Sequence, residues 1–164
     1  MPTNCARPGA LVITPDIFPL VQYQRFDHRY QLRFMSGERF IAALLEFCRA
    51  EDIGYAALSG LGAVSGVDLA YFNDATREYE THQIVEQLEV IGLTGNVTTK
   101  DGQPFAHVHA TFGGHDLSVR GGHIMEMTVK PNLEIWLTRG TEAVARLPDE
   151  ESGLFLMALP EHHP

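Results

Sequence analysis

The 164 residues carry 12 basic and 21 acidic side chains, a net charge of −9, with 45% hydrophobic and 20% charged residues. That balance suits one globular domain and excludes a disordered chain, a collagen and a coiled-coil rod. No apolar run is long enough to span a bilayer, no leader pattern opens the chain, and Cys5 and Cys48 alone make no disulfide framework, so a reducing cytoplasm is the expected compartment.

Residues 1–28 read as an N-terminal extension, because Pro2, Pro8, Pro15 and Pro19 interrupt any regular element. Its apolar stretches, Leu11–Ile13 and Ile17–Val21, need a surface to cover and predict an arm across the domain or a neighbouring subunit. Arg29–Met35 alternates and predicts a first strand. A helix follows from Ser36 or Gly37, with Glu38 in its first turn. Phe40, Ile41, Leu44, Leu45 and Cys48 fall on one face, and Gly54 supplies the stop. Cys48 is thereby a small core residue.

The rest is strand-rich. Tyr55–Ser59, Val64–Phe72, Arg77–Ile84, Leu88–Val97, Phe105–Phe112, Leu117–His123 and Leu133–Thr138 read as strands. Their predicted separators are Ser59–Gly62, Asn73–Asp74, Lys100–Gly102, Gly113–Gly114 and Pro131–Asn132. A last small element covers Gly153–Leu159. One helix among many short strands predicts an α+β fold on a mostly antiparallel sheet, with the domain at 29–157 and a tail at 158–164.

Gly60, Gly62 and Gly66 have the spacing GxGxxxG, without a following amphipathic helix, so they are no nucleotide fingerprint. They read as a tight connection between two strands. The informative cluster is His107-Val-His109 with Gly121-Gly-His123. Two positions apart in a strand, His107 and His109 leave the same face, while Val108, Ala110 and Phe112 leave the other. Strict hairpin pairing of the two predicted strands puts residue 123 opposite about residue 106. A register shift or bulge at Gly121–Gly122 would aim His123 at the other two. Three converging imidazoles suit Zn²⁺ or another divalent first-row ion with a fourth position open. The alternative is three polar residues lining an interface or a wet groove. His28, His82 and His115 show no comparable partnering. A cupin ligand set fails, since Phe112 and Gly113 stand where its carboxylate would be. No nucleophile elbow is present, and no catalytic residue is assigned.

The charge is uneven: residues 1–50 sum to +2 and residues 51–164 to −11. Such a surface repels a phosphate backbone and disfavours autonomous DNA binding. Only Arg25, Arg29, Arg33, Arg39 and Arg49 could form a basic patch, which otherwise reads as the solvated face of a strand and helix.

Several of these segments together resemble the plants-and-prokaryotes conserved (PPC) domain. They are the strand into Ser36-Gly-Glu38 and its helix, Leu58-Ser-Gly-Leu-Gly62-Ala-Val, Leu88-Glu-Val-Ile-Gly-Leu-Thr-Gly95-Asn-Val, Pro104-Phe-Ala-His-Val-His109-Ala, Gly121-Gly-His123-Ile and Glu134-Ile-Trp-Leu-Thr138. The resemblance covers residues 29–157. It implies a compact α+β domain on an antiparallel sheet, a homotrimer, and a metal site that maps onto His107, His109 and His123. In plants the domain follows AT-hook motifs that contact the DNA minor groove. No Arg-Gly-Arg-Pro hook occurs here, and Arg7-Pro8 lacks a preceding basic residue. The resemblance thus carries a DNA-binding label while the DNA-contacting part is absent.

Three functions compete: a non-enzymatic trimeric assembly or regulatory module, a small metal-dependent enzyme, and a small-ligand sensor. The enzyme needs an acid or base beside the metal. Glu126 is the nearest in sequence, but three residues along a strand point it to the opposite face from His123.

Overall fold

In the computed structural model, which describes residues 21–160, the alternation of Arg29–Met35 becomes strand β2 (Arg29–Met35), with Tyr30, Leu32 and Phe34 buried and Arg29, Arg33 and Met35 exposed. Ahead of it lies β1 (Gln22–Phe26), antiparallel to β2 from Gln22↔Arg33 to Phe26↔Arg29. This corrects the sequence reading, which left these residues in the extension. A two-residue turn, Asp27–His28, closes the hairpin with Asp27 at φ 58°, and Val21 is buried. Asp-His is a weaker hairpin signal than Asn-Gly, and the prolines before it masked the strand. The rest of the arm, residues 1–20, with Leu11–Ile13, most of the second apolar stretch and Cys5, lies outside the described residues, as do His162 and His163.

Helix α1 (Phe40–Ala50) buries Phe40, Leu44, Phe47 and Cys48, a stripe at helical spacing. Phe47 joins the core where the sequence reading had chosen Leu45. Phe34 meets Phe40 edge-on at 5.1 Å, and Tyr30 meets Phe47 at 5.4 Å, which seats the helix on the inner face of the sheet. Glu38 stands before the helix, not in its first turn. Its carboxylate accepts from the Met35 amide across the turn at Ser36–Gly37. The helix stops at Ala50, before Gly54, with the Glu51 amide donating to the Phe47 carbonyl.

The remaining strands are β3 (Ala56–Asn73), β4 (Glu78–Ile84), β5 (Leu88–Lys100), β6 (Gln103–Gly113), β7 (Val119–Arg139), β8 (Arg146–Pro148) and β9 (Phe155–Met157). Two predicted separators are not breaks. Ser59–Gly62 lies within β3, and Pro131–Asn132 within β7. At both places the chain stays in the sheet and shifts register. The β3–β7 pairing steps from Gly62↔Leu133 to Val64↔Val129, so the turn-type residues sit in bulges, where a strand tolerates them. A Cβ on Gly62 would collide with the Asn132 carbonyl oxygen, so the crossing needs glycine there. The predicted element at Gly153–Leu159 is β9, paired with β8 as a separate two-stranded sheet.

The large sheet runs β1-β2-β7-β6-β5-β3-β4, and a further antiparallel pairing of β7 with β3 closes β3, β5, β6 and β7 into a ring. Leu58, Leu93, Val97, Val108, Phe112, Ile135 and Leu137 line its interior with the helix residues. The mostly antiparallel sheet with one helix is as expected, with strand far outweighing the 11-residue helix. Among the described residues, no helix is long and apolar enough to cross a membrane.

Candidate metal centre

Cross-strand neighbours share a face. Thr94 pairs with His109, Asn96 with His107, and His109 with His123. The three imidazoles therefore stand together on the outer face of the sheet, while Val108 and Phe112 are fully buried on the inner one. No bulge is needed between β6 and β7, which corrects the expected register. The hairpin closes Gly113 onto Val119. Its loop holds Gly114–Ser118, with Leu117 at φ 62° and the Ser118 amide donating to the Asp116 carboxylate at 2.9 Å. Leu117 is thus a turn residue, not the first residue of a strand; the strand begins at Val119 opposite Gly113, and this three-residue shift from the expected pairing brings His123 opposite His109. Gly121 permits the close pairing beside them, since a Cβ there would lie 2.6 Å from the Ala110 carbonyl oxygen.

The rings form a nearly equilateral triangle, with centroids 5.1 Å apart for His107–His109 and 5.2 Å for each pair with His123. One nitrogen from each ring lies within 4.8 Å of the other two, and no Asp, Glu or Cys joins the group among the described residues. The Nε2 atoms of His107 and His109 are 3.2 Å apart. Two nitrogens on one tetrahedral zinc ion, each about 2.0–2.1 Å from it, stand about 3.3 Å apart, so the donors fit such an ion. His107 and His123 are half-buried and His109 is exposed. Burial, then the Arg146 guanidinium and His109, hold His107 below the ordinary imidazole pKa. Burial, then His107, His109 and Arg146, bring His123 down to about 4. Both are neutral at physiological pH, which is the form that coordinates a metal.

Sequence reasoning missed the groups around the triangle. Arg146, only 8% exposed, donates from Nη2 to His107 Nδ1 at 3.3 Å and to Asn96 Oδ1 at 3.0 Å. Its Nε donates to Thr98 Oγ1 at 2.8 Å and its Nη1 to the Phe155 carbonyl at 2.8 Å. The Tyr79 ring, on β4, lies 5.3 Å from the His123 ring. Neither residue belongs to a motif or a period that points at His107. A groove of about 410 Å³ runs beside His109, lined by Gly92, Thr94, Thr111, Gly121 and Gly122 among others.

Glu126 is elsewhere. Its Oε1 accepts from the Ile41 amide at 2.8 Å and its Oε2 from the Ala42 amide at 3.2 Å. Arg39 Nε lies 3.5 Å from Oε2. The carboxylate supplies the anion that the start of α1 takes, because Arg39 at its N-cap makes no side-chain cap bond. His28 pairs with Asp27, and His82 and His115 stand apart from the triangle. Of the five arginines, Arg39 and Arg49 pair with Glu126 and Glu46, and Arg33 donates to Gln22. Arg25 lies over the Tyr30 ring. Cys48 is fully buried, and burial pushes its thiol up to about 12.

The family model for the Plants and Prokaryotes Conserved (PCC) domain matches residues 21–141. Among solved structures, a plant- and prokaryote-conserved protein from Pyrococcus horikoshii is 30% identical at a TM-score of 0.76, covering 90% of this chain and 100% of that one. A metal-containing protein from Archaeoglobus fulgidus is 31% identical at a TM-score of 0.75, covering 87% and 100%. A protein from Bacteroides thetaiotaomicron, described as a "putative dna binding protein", is 26% identical at a TM-score of 0.83, covering 85% and 98%. The curated proteins give no match.

Proposed function

The chain belongs to the Plants and Prokaryotes Conserved domain family, and from that premise we propose that it is a self-associating, non-enzymatic regulatory module holding a divalent first-row metal ion on His107, His109 and His123. The observation that carries the reading is the triangle of imidazole nitrogens, one from each ring, that lie within 4.8 Å of one another. The similar Archaeoglobus fulgidus protein is described as metal-containing, which supports it. When bound, the ion supplies a fixed positive charge and one open coordination position. The chain's own residues orient the donors: β6 sets the spacing of His107 and His109, and the β6–β7 register brings His123 opposite His109. A non-enzymatic role fits the engagement of Glu126 at the helix, which leaves no carboxylate beside the imidazoles among the described residues.

The homotrimer comes from the family resemblance, and the outer face of the sheet is consistent with association. Met35, Leu61 and Trp136 are each 41–49% exposed there, on the face that carries the imidazoles through the pairings Ser59↔Trp136, Ser59↔Thr94 and Thr94↔His109. Such apolar exposure favours an interface. The groove beside His109 favours the sensor as the second reading, with a small ligand reaching the open coordination position.

DNA enters through the Bacteroides thetaiotaomicron protein, described as a "putative dna binding protein". For this chain a net charge of −9 opposes contacts with phosphates. We expect an affinity for random duplex weaker than micromolar at about 0.15 M salt, read by fluorescence anisotropy; tighter binding would restore a direct DNA role.

The deciding experiment is metal analysis of the full chain after Zn²⁺ reconstitution and desalting. One zinc per chain is expected, and a metal-free wild type would end the metal reading. Sedimentation equilibrium giving a monomer at micromolar concentration would end the trimer.

A further inference from the structure

The hydrogen-bond directions around His107 hold more than the triangle alone. A guanidinium has only donors. The 3.3 Å contact from Arg146 Nη2 to His107 Nδ1 therefore makes Nδ1 the acceptor. A neutral imidazole has one N–H, so in His107 it sits on Nε2. That N–H faces His109 Nε2 at 3.2 Å, which must accept, and His109 carries its own proton on Nδ1. With the guanidinium as the donor, these two contacts assign one tautomer to each ring, Nε2–H in His107 and Nδ1–H in His109.

The atom that would coordinate a metal is the one that carries this proton. For His107 Nε2 to give its lone pair to an ion, the proton must leave it. Returned to Nδ1, it faces an Arg146 donor, and two donors cannot share a bond. We propose that Arg146 is a positioning residue that holds His107 in its metal-free tautomer, and that its bond to Nδ1 and metal coordination through Nε2 exclude one another. On loading, one proton moves from Nε2 to Nδ1, the net charge of the ring is unchanged, and Arg146 gives up this one bond. This rests on the metal reading above.

Two features of Arg146 strengthen the opposition. No carboxylate pairs with it among the described residues, although it is 8% exposed, so it presents an uncompensated positive charge to an incoming cation. It also belongs to the β8–β9 sheet: it stands on β8 and its Nη1 donates to the Phe155 carbonyl on β9. Thr98 and Asn96 on β5 receive its other donors. Metal ligands ordinarily gain from a neighbour that accepts their remaining N–H and raises their basicity. Here a donor and a cation occupy that place, so Arg146 sets the affinity of the site from below.

Two measurements test this on the full chain. Long-range ¹⁵N–¹H correlation spectra of the imidazole rings report the tautomers. His107 is expected as Nε2–H in the metal-free protein and as Nδ1–H with zinc bound; a metal-free Nδ1–H tautomer overturns the proposal. Zinc affinity of Arg146→Met, read by competition with a chelating dye, is expected to rise about tenfold, the size of effect typical of a ligand's neighbour but with opposite sign. A merely structural arginine predicts a fall. If the wild type binds zinc and the folded Met variant binds it equally or more weakly, the role of Arg146 is overturned and the metal reading stands. If neither binds zinc, the metal reading falls and takes this inference with it. Should the Met variant not fold, the metal-free tautomer of His107 decides alone.

Discussion

Two places in this chain gather polar groups around a titratable side chain, and they are opposite in kind. At the start of α1, Glu126 is satisfied by two helix amides and an arginine. On the outer sheet face, three imidazoles face one another with no carboxylate among them. The first cluster is complete: each charge meets its complement, so it holds the fold. The second has no such complement: one nitrogen from each ring lies within 4.8 Å of the other two, and no acid joins them among the described residues. Counting donors and acceptors separates the two where nearness in sequence does not, since Glu126 is three residues from His123.

The sharpest way to break that contrast is to remove imidazoles. His109→Ala and His123→Ala are each expected to weaken zinc binding by more than about 100-fold, beyond the 10–100-fold typical of a ligand's neighbour. His82→Ala leaves it unchanged. The circular dichroism of all three should match the wild type, because Val108, Ala110 and Phe112 still fill the core. Retention of zinc by His123→Ala would reduce the triangle to a pair.

Glu126→Ala should behave in the reverse manner. It leaves two helix amides without their partner and is expected to cost about 2 kcal/mol of stability, read as a lower urea midpoint, with zinc affinity unchanged. A zinc defect of similar size would erase the distinction between the regions.

The smallest effect concerns acid. His123 stays neutral in the folded protein down to about 4, whereas in the unfolded chain it titrates near its ordinary value of about 6.5. Between those values the unfolded state binds more protons, so stability is lost as pH falls from about 6.5 towards 4 and is independent of this group above that window. In metal-free protein, His123→Asn should flatten the pH dependence of the urea midpoint between pH 7 and 5. An unchanged slope would show that burial does not hold this imidazole neutral.

What the sequence made legible was local. β2 has the predicted bounds because its alternation is strict, and the shared face of His107 and His109 follows from spacing alone. The register that brings in His123 was not legible, because Leu117 resembles a strand residue while its backbone is left-handed. The length of β3 and β7 was hidden for a related reason: glycine and proline punctuate a chain, and only the partner strand decides whether they end an element or bulge it. Arg146 lay beyond reach because a lone buried arginine leaves no periodic trace.

The order of the chain gives the β6–β7 hairpin one more consequence. His109 and His123 meet across a local turn, whereas Ala56 must find Arg139 to close the ring. Local hairpins form early and distant pairings late. During refolding the hairpin therefore gathers its imidazoles before the distant Arg146, 39 residues from His107 in sequence, docks beside them, and an ion arriving at that stage meets no rival. Zinc supplied at the start of refolding should accordingly fill the site faster than zinc added to the finished fold; equal rates in stopped-flow mixing would show that the arginine arrives too soon to matter.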